Sequence, residues 1–158
     1  MRSVVSCFIL VCLLAGACAV GAQDAADALK VKCPVCGMFV APYAKWNARI
    51  EFNDSTAAIF DGAKDMFKYY LDIEKYNPSK NKNDVISISV MDYYSNTAID
   101  ARQVYYVIWS DVYGPMGHEP IPFAKEADAR KFLKEHKGRT ILRFNDIKLP
   151  VIKSLDNP

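Results

Sequence analysis

Cys33-Pro34-Val35-Cys36-Gly37-Met38 places two thiols and a thioether within six residues, and no other stretch of the chain concentrates soft donors in this way. Far downstream, Gly114-Pro115-Met116-Gly117-His118 sets a second thioether and an imidazole two residues apart in a glycine-framed turn. Thiolate and thioether sulfur, with imidazole as a further donor, suit the soft cation Cu(I), whereas hard ions such as Mg2+ and Ca2+ take oxygen. The candidate metal ligands are therefore Cys33, Cys36, Met38, Met116 and His118, and the fold is expected to bring the two segments together. A thioether has a further merit in an oxidising compartment, because it cannot be lost to a disulfide as paired thiols can.

Each of these residues also has a duller use. Cys33 and Cys36 can close a local disulfide, an ordinary state for such a pair in an exported protein. Met38 taken alone fits a core methionine, and His118 alone fits an exposed loop histidine. Met116 is different, since Pro115 and Gly117 keep it out of regular structure, and a turn holds an apolar side chain for contact with something. A structural zinc site usually takes four cysteines or histidines in paired spacing, a pattern that Cys33, Cys36, His118 and His136 do not show. His136 is assigned to a solvated helix end. Met66, Met91, Tyr93-Tyr94, Tyr105-Tyr106, Trp46 and Trp109 are assigned to packing.

The elements that must position the donors follow from periodicity. Residues 46–52 alternate apolar and polar side chains as a half-buried strand does, Asn53-Asp54-Ser55 supplies turn chemistry, and 56–60 returns as a second strand. Asp61 is placed to cap a helix over about 62–72, with Met66, Phe67, Tyr70 and Leu71 on one side. After a polar loop, 85–90 alternates again. The second half repeats the order: a strand over 103–109, a short strand at 120–123, an amphipathic helix over 125–136 and a strand over 140–144. The fold expected is α+β, two tandem ββαβ units spanning 31–95 and 96–150.

The 158 residues are 51% hydrophobic and 24% charged, which excludes a disordered chain and gives room for one compact domain or two small ones. The net charge of +2 arises from 20 basic and 18 acidic residues in no long block, so nothing points to nucleic acid. A charged start and an apolar run from Val4 to Val20 mark residues 1–22 as a secretory signal peptide. Leu14-Ala15-Gly16-Ala17-Cys18 offers a second cleavage, after residue 17, leaving Cys18 as a lipid-bearing N-terminus that anchors the protein to a membrane.

Cys33-Pro34-Val35-Cys36-Gly37-Met38-Phe39-Val40, the Phe60-Asp61 to Met66-Phe67 segment and Gly114-Pro115-Met116-Gly117-His118 together resemble the NosL-type accessory proteins of nitrous-oxide reductase. The resemblance spans nearly the whole chain beyond the signal. It implies two ββαβ units related to a part of organomercurial lyase. It also implies a periplasmic copper-binding protein, often a lipoprotein, that carries Cu(I) toward nitrous-oxide reductase or another copper-accepting protein during assembly of its centres in denitrification. The metal role would fall on Cys36, Met38, Met116 and His118, with Cys33 as the second thiol.

The function expected is that of a Cu(I) metallochaperone, not an enzyme. A thiolate and one or two thioethers would hold the ion at the seam between the units, with His118 completing the site. Two rivals stand beside it: an exported thiol-disulfide oxidoreductase working through Cys33 and Cys36, and a structural lipoprotein with a permanent Cys33–Cys36 disulfide.

Overall fold

A computed structural model describes residues 30–156. The expected signal peptide and Cys18 lie outside the described residues. The first sheet contains β1 (Ala48–Phe52), β2 (Ala57–Phe60), β3 (Val85–Met91) and β4 (Ala98–Asp100) in the order β2-β1-β3-β4, all antiparallel. Alternation decides its two faces. Ala48, Ile50 and Phe52 of β1 are buried, as are Ile88 and Val90 of β3, while Arg49 is exposed and pairs along its own strand with Glu51 at 2.9 Å.

Helix α1 (Ala63–Leu71) crosses the buried face, and the single turn α2 (Ile73–Tyr76) follows it. Met66, Phe67 and Tyr69 are fully enclosed. Tyr69 meets Phe60 edge-on with ring centroids 5.2 Å apart, a geometry that aligns the positive ring edge with the negative face.

The second sheet is β5 (Tyr105–Ile108), β8 (Ile121–Phe123) and β9 (Thr140–Arg143) in the order β8-β5-β9, again antiparallel. The strand order is thus alike in the two halves, with the first strand central and the second and third on its flanks. A period of two sends Tyr106, Ile108 and Leu142 to the core that contains α1, and Val107, Ile121, Phe123 and Ile141 to a smaller core under α3 (Glu126–Glu135). Phe67 of α1 touches Tyr106 at 5.2 Å and Phe144 at 5.1 Å, so one helix serves both sheets.

Between β5 and β8 the chain makes a tight hairpin, β6 (Tyr113–Gly114) and β7 (Gly117–His118), with Pro115 and Met116 at its tip. Gly117 adopts φ +84°, a left-handed conformation that a side chain would strain. The expected turn is therefore a small ribbon. A closing helix, α4 (Leu149–Ser154), has no counterpart in the sequence reading, although Pro150 stands in its first turn where proline is well tolerated.

Asp92, just after β3, ties the halves together. Its Oδ1 accepts the N–H groups of Tyr94 and Ser95, and its Oδ2 accepts that of Ala124 at 2.7 Å. Burial pushes its carboxyl up, but these donors and the Ser95 hydroxyl outweigh that and hold it below its ordinary value.

Candidate metal centre

The Cys33–Met38 segment is a closed loop. The Cys33 N–H donates to the Met38 carbonyl at 2.8 Å and the Gly37 N–H to the Cys33 carbonyl at 2.9 Å, with Gly37 left-handed at φ +78°. This geometry turns both thiols toward the start of α1. Cys33 is buried, Cys36 half-buried, and both are free thiols.

Asp61 and Asp65, four positions apart around the first turn of α1, meet them. Cys33 Sγ donates to Asp65 Oδ2 at 3.4 Å, and Cys36 Sγ lies 3.5 Å from both Asp61 oxygens. One ligand atom from each of Cys33, Cys36, Asp61 and Asp65 falls within 4.8 Å of the others. Two sulfurs and two carboxylates at this spacing are a donor set for a metal cation, and both carboxylates are almost wholly removed from solvent.

The electrostatics agree. Burial pushes the Cys36 thiol up to about 11, and Asp65 adds to the rise against the Met38 N–H, which opposes it. Cys33, more deeply buried and facing the same two carboxylates, is driven higher still, despite the N–H groups of Cys36 and Val35. Both sulfurs therefore carry protons at neutral pH, and a cation must displace them on binding. This is the reverse of the environment that activates a cysteine nucleophile.

The second predicted segment arrives at the same helix turn. Lys64 is fully buried; its Nζ donates to the Met116 carbonyl and reaches Asp156 Oδ1 at 3.1 Å. Its backbone N–H donates to Glu119 Oε2 at 2.7 Å. Asp61 was expected to cap α1. Instead the capping position is Gly62, which has no side chain of its own to close the helix, and Asp61 faces Cys36. The donor at the helix start is served from the other half of the chain by Glu119.

Glu119 itself is pushed up to about 8 by burial and by the nearby Asp65 and Asp61, against the pull of Lys64. Its Oε1 lacks a hydrogen-bond partner, as do Asp65 Oδ1 and His118 Nδ1, and no other buried side-chain nitrogen or oxygen among the described residues is in that state. Buried polar atoms are normally paired; of these three, Asp65 Oδ1 lies 3.7 Å from the Lys68 ammonium as an ion pair.

His118 is held between aromatic rings, 4.8 Å from Trp109 and 4.7 Å from Tyr113 by centroid, and is not one of the four clustered donors. Met38 and Met116 are both half-buried. The fold thus unites Cys33 with Cys36 and docks the Met116–His118 hairpin on the helix that bears their carboxylate partners. Asp61, Asp65, Lys64 and Glu119 escaped the sequence reading. The available signal was a pair of acids bracketing the first turn of a helix that buries Met66, Phe67 and Tyr69.

A family model described as NosL matches residues 27–152. Among solved structures, the chain resembles the crystal structure of the copper chaperone NosL from Shewanella denitrificans at 22% identity and a TM-score of 0.67, over 77% of this chain and 92% of that one. It also resembles the solution structure of the apo-NosL protein from Achromobacter cycloclastes at 23% identity and a TM-score of 0.48, over 66% and 87% of the two chains. A search of curated protein sequences finds no match.

Proposed function

The chain belongs to the NosL family, and from that premise we propose that it is a copper chaperone whose cargo is Cu(I). The observation that carries this reading is the meeting of two free thiols with two buried carboxylates at the helix turn on which a hairpin bearing a thioether and an imidazole docks. The thiolates of Cys33 and Cys36 hold the ion, Met38 and Met116 offer thioethers, and His118 completes the site. Sulfur gives the preference for the cuprous state. The receiving protein is a copper acceptor, of which nitrous-oxide reductase is the one the family resemblance implies. The place of work is the periplasm, reached by the signal peptide, with the protein anchored to the membrane if cleavage falls before Cys18 and released if residues 1–22 are removed.

The test is a competition titration of the reduced chain against a chromophoric Cu(I) chelator, run beside Cys36→Ser and a Met116→Ala/His118→Ala double variant. One-to-one binding lost in Cys36→Ser and weakened in the double variant is the expected result. Equal affinity in the wild type and the double variant would confine copper to the cysteine loop, and no binding by the wild type would overturn the reading.

The two carboxylates favour a second reading. Zn2+ accepts sulfur and carboxylate oxygen in one tetrahedral site, and the acids suit it better than they suit Cu(I). Zinc that resists displacement by Cu(I) in the same titration would favour it.

A further inference from the structure

Among the described residues β9 is an edge strand, paired to β5 on one side only, and every residue in it is half-buried. A groove of about 520 Å³ runs between it and α3. The consecutive residues 139–143 line this groove, including Ile141 and Arg143 on the α3 side of the sheet and Thr140 and Leu142 on the other, so the groove follows the edge of the strand itself. An edge offers backbone N–H and C=O groups at strand spacing, which is a template for another extended chain.

The walls of the groove are cationic. Arg130 and Lys134 project from α3, and Arg139 and Arg143 flank β9; Glu126 is the one acid, already paired with Arg130. Arg143 lies over Tyr105 at 4.1 Å and donates to the Gln103 carbonyl at 3.0 Å, while Arg139 lies over Trp109 at 4.7 Å. The guanidinium groups of Arg139 and Arg143 are thus held in place by aromatic faces, while that of Arg130 is paired with Glu126. Trp109 is itself unusual, with a left-handed φ of 60°, and its ring carries the contact onward to His118 at 4.8 Å.

We infer that this groove receives an extended acidic segment of the copper-accepting protein, which adds as a strand to β9 and sets its carboxylates among Arg130, Lys134, Arg139 and Arg143. The inference rests on the proposed function for the identity of the partner. The occupant is a peptide rather than an anionic membrane, because the cations surround a concavity along a strand edge and a flat lipid surface cannot reach its backbone. Docking here also places the partner on Arg139, one ring away from the histidine of the hairpin.

The probe is a fluorescein-labelled peptide of alternating glutamate and valine, titrated by anisotropy into the full reduced chain at low salt. Binding should shift the amide resonances of Thr140–Arg143, weaken about tenfold or more in an Arg130→Glu/Lys134→Glu variant, and vanish when alternate peptide nitrogens are methylated. Absence of peptide binding would overturn the proposal. So would binding that survives methylation, or binding to phosphatidylglycerol vesicles with none to the peptide. Cu(I) titration of the same samples separates the claims: a chain that binds copper but not peptide loses only the groove, and one that binds peptide but not copper keeps the groove but loses the chaperone reading and, with it, the copper-accepting identity of the partner.

Discussion

Glu119 Oε2 accepts the backbone N–H of Lys64 at 2.7 Å, across 55 positions of sequence. Through this bond, and through the Lys64 ammonium on the Met116 carbonyl, the hairpin of the second half is fixed to the first turn of α1. Removing Glu119 strands a buried donor and leaves a cavity. Glu119→Ala should therefore lower stability by about 2–4 kcal/mol, and Glu119→Gln, which keeps bulk and an acceptor, should recover part of that loss. Urea unfolding of both variants checks it; equal stability of Glu119→Ala and the wild type would remove the clasp.

Copper affinity should rise with pH. Cys36 has its thiol pushed up to about 11 and Cys33 lies higher, so below that range each binding event displaces thiol protons. The expected slope is roughly tenfold in affinity per pH unit for each proton displaced. Chelator competition between neutral and mildly alkaline pH measures it. A flat profile would mean that neither sulfur is a ligand.

The carboxylates facing the thiols orient them and set their charge. Asp61→Asn and Asp65→Asn should each change Cu(I) affinity by about 10–100-fold, the range for partners of metal ligands. Loss of affinity assigns the carboxylates to the ion or to holding the thiols, whereas a gain assigns them to raising the thiol pKa alone.

Asp92 should stabilise the fold above the ordinary carboxylate value and cease to do so in acid. Its carboxyl is held below 3.8 in the folded chain, so the contribution is complete above that value and fades as pH falls through the lower folded one. Asp92→Asn should cost about 1.5–3 kcal/mol at neutral pH, and the gap between variant and wild type should narrow on acidification. A gap that does not change with pH would contradict the charged role.

Gly114→Ala should destabilise by about 1–3 kcal/mol. A Cβ there would stand 2.5 Å from Glu119 Cγ and 3.1 Å from the Trp46 ring, both in crowded surroundings. Thermal unfolding reads the loss, and near-ultraviolet circular dichroism should report the displaced tryptophan.

Much of this arrangement was legible from residue pattern. Alternation located β1 and β3, aromatic and β-branched content located β5, helical spacing located α1 and α3, and the glycine-framed Met116–His118 segment stood out because nothing in regular structure explains it. Asp61 and Asp65 were hidden for a physical reason. An acid before a helix is most simply a cap, and only the path of the Cys33–Met38 loop turns it into a partner for a thiol. Glu119 was hidden likewise, since a carboxylate capping a helix 55 positions away leaves no local trace. Strand ends differ by one or two residues from the expected ones, as at Trp46 and Trp109, whose aromatic character suggested strand but whose rings instead flank the hairpin.

All four clustered donors lie between positions 33 and 65, ahead of the entire second half. A nascent chain therefore holds both sulfurs before it holds the hairpin that docks on the helix bearing their carboxylate partners. Once folded, Cys33 is 1% exposed and strongly protonated, a state in which a thiol reacts slowly with oxidants. For Cys33 the interval of vulnerability to oxidation falls in synthesis and folding, after which burial shields it, while half-buried Cys36 stays the more accessible of the two sulfurs.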